Sequence, residues 1–167
     1  MTTVFLLRHA KSRWDEPGVD DHDRGLGPRG ERDAPRMGQY ALRRGWRPEL
    51  VLCSTAKRTM LTAAAFLAAA QLQTEVRYLR SIYLAEAMML LDLLRQQRAS
   101  SVMLVGHDPG IHDLALLLMG SRATEELKRK FPTSALAVID TGSRILTELT
   151  PGTSILRAFV RPRDLQG

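Results

Sequence analysis

Apolar residues along this chain follow two rhythms. Short apolar segments at Val4–Leu7, Leu50–Cys53, Val76–Leu79 and Val102–Val105 predict strands. Between them, apolar residues recur at helical spacing. Met60, Ala63, Ala64 and Leu67 form one stripe, Met88, Leu91 and Leu94 a second, and Ile111, Leu114, Ala115 and Leu118 a third. All three are expected to be core faces of helices. A further helix is expected near Glu31 to Arg44. Pro35 must lie in its first turn or kink it, because proline lacks the amide a helix interior uses. Gly45 is a plausible stop.

The tail reads differently. "ALAVID", "RILTEL" and "ILRAFV" look like strands, and "TGS" like a hairpin connection. The pattern predicts an α/β fold: a three-layer αβα sandwich with a mostly parallel sheet and a C-terminal hairpin. One domain is expected over residues 1–167, with no repeat, low-complexity tract or linker. Trp14 to Gly30 is a long polar connection, and loops of that length in compact domains tend to be functional or mobile.

Composition narrows the function classes. The 167 residues are 44% hydrophobic, without an apolar run of membrane-spanning length or a secretory leader pattern. The one cysteine, Cys53, sits in an apolar run and reads as a buried core thiol. A reducing, cytoplasmic setting is expected. The net charge is +6 and the pI about 10.1, which raises a nucleic-acid reading. Carboxylates are mixed among the arginines, however. The short "KRK" block follows Glu125 and Glu126, and no aromatic residues interleave it. We therefore expect neither a nucleic-acid nor a membrane partner. A basic surface equally suits a phosphorylated or acidic substrate.

The candidate chemistry lies where strands end. In parallel α/β sheets, ligands bind at the carboxyl edge. The first strand delivers Arg8 and His9 there, the second "STAKR", and the fourth "GHDPG". If these strands are neighbours, two arginines and two histidines converge. Ser54 or Thr55 looks like an N-cap, which puts Lys57 and Arg58 in the first helical turn. The helix dipole disfavours cations there, unless an anion sits among them. Arginine suits phosphate, since its planar fork donates two parallel hydrogen bonds and stays charged. A neutral imidazole at His9 could attack phosphorus and form a phosphohistidine that water then hydrolyses. Its other ring nitrogen must then hold the proton against an acceptor such as a backbone carbonyl.

"LLRHAKS", "CSTAKRTMLTA" and "VMLVGHDPGI" resemble, in order, three motifs of the histidine phosphatase superfamily, the phosphoglycerate mutase-like family. "DHDRGLGPRGERDAPRMG" and "FPTSALAVID" resemble its short SixA-type phosphohistidine phosphatase branch. The resemblance implies that His9 is the phosphorylated nucleophile. It implies that Arg8, Arg58 and His107 bind the phosphoryl group, and that Ser12 lies near the phosphate. No cofactor and no metal are implied. Ala10 stands where many members have glycine, and Asp108 where many have asparagine. Larger members carry an acidic residue after the third strand. Here Glu86 supplies the candidate general acid, or is an ordinary acidic residue in the first turn of a helix.

His22 and His112 are left over. Neither has the spacing of a metal-ligand pair, so His22 is expected in a solvated loop and His112 on a helix face. Asp21, Asp23 and Arg24 are candidates for the rim of the site. The expected activity is a metal-independent phosphatase acting through phosphohistidine, with protein phosphohistidine as substrate. The alternatives are a small-molecule phosphomonoesterase of the same family, or a phosphate-binding module without turnover.

Overall fold

The computed structural model describes residues 1–165. The strands are β1 (Thr3–Arg8), β2 (Leu50–Ser54), β3 (Glu75–Leu79), β4 (Ser101–Gly106), β5 (Leu136–Asp140) and β6 (Ile155–Val160). They form one six-stranded sheet in the order β3-β2-β4-β1-β5-β6. β1 to β4 pair in parallel, whereas β5 is antiparallel to both its neighbours. The mostly parallel sheet is as expected. The helices are α1 (Pro28–Arg44), α2 (Lys57–Ala69), α3 (Ala87–Arg95), α4 (Gly110–Met119) and α5 (Glu125–Arg129).

Alternation along the central strands explains the layers. Val4 and Leu6 point into one core with Leu91, Leu94, Ile111 and Leu114 of α3 and α4. Phe5 and Leu7 point into the other, with Met37 of α1 and Phe66 of α2. Successive side chains of a strand face opposite ways. A strand covered on both faces is therefore apolar throughout, which is why β1, β2 and β4 read as continuous runs. The chain leaves β1 through α1 to β2, then returns from β3 through α3 to insert β4 between β1 and β2. Helices change face at that insertion, so a crevice opens at the carboxyl ends of β1 and β4.

Several expectations are corrected. α1 begins earlier than expected, with Pro28 at its start, so Pro35 lies inside the helix and not in its first turn. Gly45 ends it in the left-handed conformation, φ 70°. The core face of α2 is Thr59, Thr62, Ala63, Phe66 and Leu67, while Met60 is exposed. In α3, Leu90 takes the place expected of Met88. "RILTEL" is not a strand. Leu146 to Glu148 form a 3-10 turn, with Leu146 and Leu149 both buried. Apolar residues three apart suit that turn, not the alternation of a strand. β5 and β6 do pair antiparallel, but through residues 141–154 and not through a tight "TGS" turn.

Candidate active site

Arg8 ends β1 directly opposite Gly106 at the end of β4. The next residue, His9, continues that pairing, its amide donating to the Gly106 carbonyl at 3.0 Å. Its own carbonyl accepts from the Ser134 amide at 3.1 Å, just before β5. The His9 backbone is therefore fixed from both neighbouring strands. Its ring is fixed too, since Nδ1 donates to the Ala10 carbonyl at 2.7 Å. The proton is thus held on Nδ1, leaving Nε2 with a free lone pair.

A third tie comes from α2. The Ala10 amide donates to Thr62 Oγ1 at 2.8 Å, and the Thr62 hydroxyl donates to the Arg58 carbonyl at 2.7 Å. One threonine thereby couples the His9 turn to the first turn of α2. Lys57 and Arg58 do open that helix, as expected. However, its N-cap is Ala56, without a side-chain cap. The Ser54 hydroxyl instead accepts from the Ala56 amide at 3.2 Å and meets His107 Nε2 at 2.8 Å.

Among the described residues, His107 Nε2 is the acceptor within reach of the Ser54 hydroxyl proton, so Ser54 donates to it. The His107 proton then sits on Nδ1, which is buried and has no partner among the described residues. Arg8 Nε and Arg58 Nε are in the same condition. Buried unpartnered donors are costly, about 1–3 kcal/mol each. Three of them in one crevice suit an anion.

The electrostatics agree. His9 is only 7% exposed and His107 4%. Burial lowers the His9 pKa, and although the Ala10 bond opposes this, the charges of Arg58, Arg8 and Arg24 lower it further, to about 4. Burial first, then Arg58 and the neighbouring His9, take His107 down to about 3. Both imidazoles are neutral at pH 7, as a nucleophile must be. Arg8 is also lowered, by burial and by Arg58, while Asp108 opposes the shift.

The polar loop after Ser12 closes over this group. Asp21 takes both arms of Arg58: one Nη donates to its carbonyl at 2.7 Å, the other to Oδ2 at 3.0 Å. Arg24 pairs with the same carboxylate at 2.9 Å, and the Tyr83 hydroxyl donates to it. Burial alone would raise the Asp21 pKa. The bonds from Tyr83 and Arg58 and the charges of Arg58 and Arg24 outweigh it and bring the group to about 2. Tyr83 stands edge-on to both His107 and His22. His22 is half-buried with Nε2 2.8 Å from Thr55 Oγ1, so it is not the solvated loop residue expected.

Comparison with known proteins now bears on this arrangement. Residues 4–82 match the histidine phosphatase superfamily, branch 1. The candidate phosphohistidine phosphatase SixA of Agrobacterium tumefaciens superposes with TM-score 0.83 at 35% identity, over 96% of this chain and 98% of that one. A second SixA candidate, from Nakamurella multipartita, gives TM-score 0.82 at 31% identity over 96% of each chain. An uncharacterised Mycobacterium tuberculosis protein is 32% identical over 94% of this chain and 100% of its own length.

The chain belongs to the histidine phosphatase superfamily. It is of the SixA type, a phosphatase by class.

For a histidine phosphatase, the structure brings together Arg8, His9, Arg58 and His107, as expected. Ser12 is buried close by, and its backbone bridges to Leu26. Glu86 caps α3, exposed and without a side-chain hydrogen bond. Its neighbour Ala85 packs against the start of α4: a Cβ on Gly110 would lie 2.1 Å from the Ala85 carbonyl oxygen. Sequence reasoning missed Ser54, Thr62, Tyr83 and Ser134. A polar residue inside an apolar stripe was the available signal for Thr62 alone. Cys53, as expected, is a core thiol, raised to about 12 chiefly by burial.

Proposed function

We propose that this protein removes phosphate from phosphohistidine on other proteins, in a cytoplasmic setting, using His9 as nucleophile. The observation that carries the reading is His9 itself: buried, neutral, with Nδ1 tied to the Ala10 carbonyl and Nε2 unencumbered between two arginines.

In the first step, His9 Nε2 forms a bond to phosphorus while the bond from phosphorus to the substrate's imidazole nitrogen breaks. The substrate histidine leaves and takes up a proton. In the second step, water attacks phospho-His9, phosphate departs, and His9 is regenerated. Arg8, Arg58 and the His107 Nδ1 proton offset charge on the phosphoryl oxygens, where preorganised donors act most strongly. Ser12 is proposed to contact the phosphate. Glu86 is the one carboxylate proposed to protonate poorer leaving groups.

The protein-substrate reading is supported by the short connection between β3 and α3. Between β3 and α3 the chain spends only residues 80–86, which include one 3-10 turn. No inserted lid stands there to exclude a histidine presented on a folded surface. The test is a hydrolysis panel with chelator present: phosphohistidine protein, phosphoserine peptide and small phosphate esters. Preference for the first is expected. Preference for a small ester would replace the reading with the small-molecule one, and binding without turnover would replace it with the non-catalytic one.

A further inference from the structure

A second feature of the carboxyl edge is not used by this chemistry. α1 carries Arg29, Arg32 and Arg36 at spacings of three and four, hence along one stripe. β6 runs antiparallel to β5, so it ends at the same sheet edge as β1, with Val160 paired to Leu136 and Leu136 to Leu7. The chain beyond it brings Arg161 and Arg163 against that stripe. Between the two lies a groove of about 420 Å³.

The charge in this groove is poorly offset. Asp33 is buried and meets Arg36 at 3.2 Å, and Arg161 is satisfied by Asp164 and Glu126. Among the described residues, Arg29, Arg32 and Arg163 make no ion pair. Arg29 reaches only the Thr133 hydroxyl, at 3.3 Å. Arg29 and Arg32 also sit in the opening turns of α1, where the helix dipole disfavours cations and favours an anion. The lining also includes Pro162 and Leu165, apolar surface that suits an extended peptide backbone.

The groove touches the catalytic group through one short strap. Pro132 and Thr133 form its wall. On either side of them, the Phe131 carbonyl accepts from Arg8 at 2.8 Å and the Ser134 amide holds the His9 carbonyl. The groove thus begins beside the strap that holds Arg8 and His9, next to where residues flanking a phosphohistidine at His9 would lie.

We propose that this groove docks an acidic segment of the phosphoprotein substrate, beside the phosphohistidine. This rests on the protein phosphohistidine reading above. An acidic peptide is favoured over nucleic acid because the groove offers no aromatic platform for bases to stack on.

The test compares phosphohistidine peptides that differ only in flanking residues, four glutamates against four glutamines, placed before or after the phosphohistidine. In the wild-type protein, kcat/KM for one acidic peptide should exceed that for its neutral partner by about 10-fold, and the ratio should fall with salt. In the triple variant R29E/R32E/R163E the ratio should drop to one or below. A ratio cancels any loss of catalysis shared by both peptides. The control Arg98→Glu, remote at the amino edge of the sheet, should keep it. An equal rate on both peptides in the wild type would overturn the groove, and so would a preference that survives the triple variant. Failure to hydrolyse either peptide would instead overturn the protein phosphohistidine reading. The groove is then judged by fluorescence anisotropy of the unphosphorylated glutamate peptide. Binding lost in the triple variant upholds it, and absent binding refutes it. Tighter binding of a single-stranded oligonucleotide than of that peptide would also refute it.

Discussion

The rings of His9 and His107 lie 5.4 Å apart between centroids, tilted by 52°. Each follows a strand end, and β1 and β4 are hydrogen-bonded neighbours. Their separation is set by the sheet, not by a flexible loop. In the proposed reaction, these two neutral imidazoles in one buried crevice take separate tasks: His9, with a free Nε2, attacks, and His107, with an unpartnered Nδ1, offsets charge.

His9→Ala should abolish turnover while retaining affinity for inorganic phosphate, because Arg8, Arg58 and His107 stay in place. The check is a pair of measurements: steady-state hydrolysis, and phosphate binding by calorimetry. Labelled phosphate trapped by rapid acid-free quench should sit on His9 in the wild type. Near-normal activity in the variant, or label on another residue, would rule out the covalent route.

Arg58 is 3% exposed and spends both arms on Asp21. If Arg58 binds the phosphoryl group as proposed, that group shares or displaces this carboxylate. Arg58→Ala should cost about 100-fold in rate, the usual scale for losing one donor to developing charge. Asp21→Asn should act oppositely on binding and lower the inhibition constant of inorganic phosphate, by about 5-fold at most for a partly exposed ion pair. Weaker phosphate binding in Asp21→Asn would mean that Asp21 positions Arg58 and does not compete at it.

How much of this was legible in the sequence follows from the kind of constraint each residue obeys. Arg8, His9, Arg58 and His107 each stand where an apolar run stops, so the strand pattern marks them. The order of strands that joins them was not legible: the insertion of β4 between β1 and β2 is seen only in the fold. Asp21 and Tyr83 carry no such mark. They come from segments far apart in the chain, and only the folded loop shows that they share one carboxylate contact. Helical spacing of apolar residues points Met60 and Met88 to the core, yet Thr62 and Leu90 occupy it. Thr62 is buried because it satisfies the Ala10 amide, a long-range bond that no helical period announces.

Stability should depend on acid in a specific window. The folded pKa of His9 is about 4 and that of His107 about 3, both below the ordinary 6.5. Below pH 6.5 the unfolded chain therefore binds protons that the folded one refuses, and stability falls as pH falls. Each histidine contributes a slope of up to about 1.4 kcal/mol per pH unit between pH 6.5 and its folded pKa. Asp21, at about 2, adds its loss only below the ordinary carboxylate range. Urea unfolding from pH 7 to 4.5 should show the slope, and His9→Gln should reduce it by about half. An unchanged slope in His9→Gln would contradict the burial argument.

Substrate class turns on leaving groups. An alkyl phosphate ester expels a poor alkoxide, which needs a proton from a positioned acid, worth about 100-fold to 10,000-fold. A phosphohistidine expels imidazole, a far better leaving group once protonated. The one carboxylate proposed for this task, Glu86, is exposed and unheld at the cap of α3. No side chain among the described residues holds it in place for proton transfer. The protein should therefore prefer phosphohistidine to alkyl phosphomonoesters, with aryl esters as modest artificial substrates. Glu86→Gln should lower kcat on alkyl esters more than on phosphohistidine, read as the ratio of the two kcat/KM values in one preparation. Equal efficiency on a small alkyl phosphate and a phosphohistidine protein would count against the proposed substrate. If Glu86→Gln then crippled only the ester reaction, Glu86 would be a working general acid and the protein a small-molecule phosphatase.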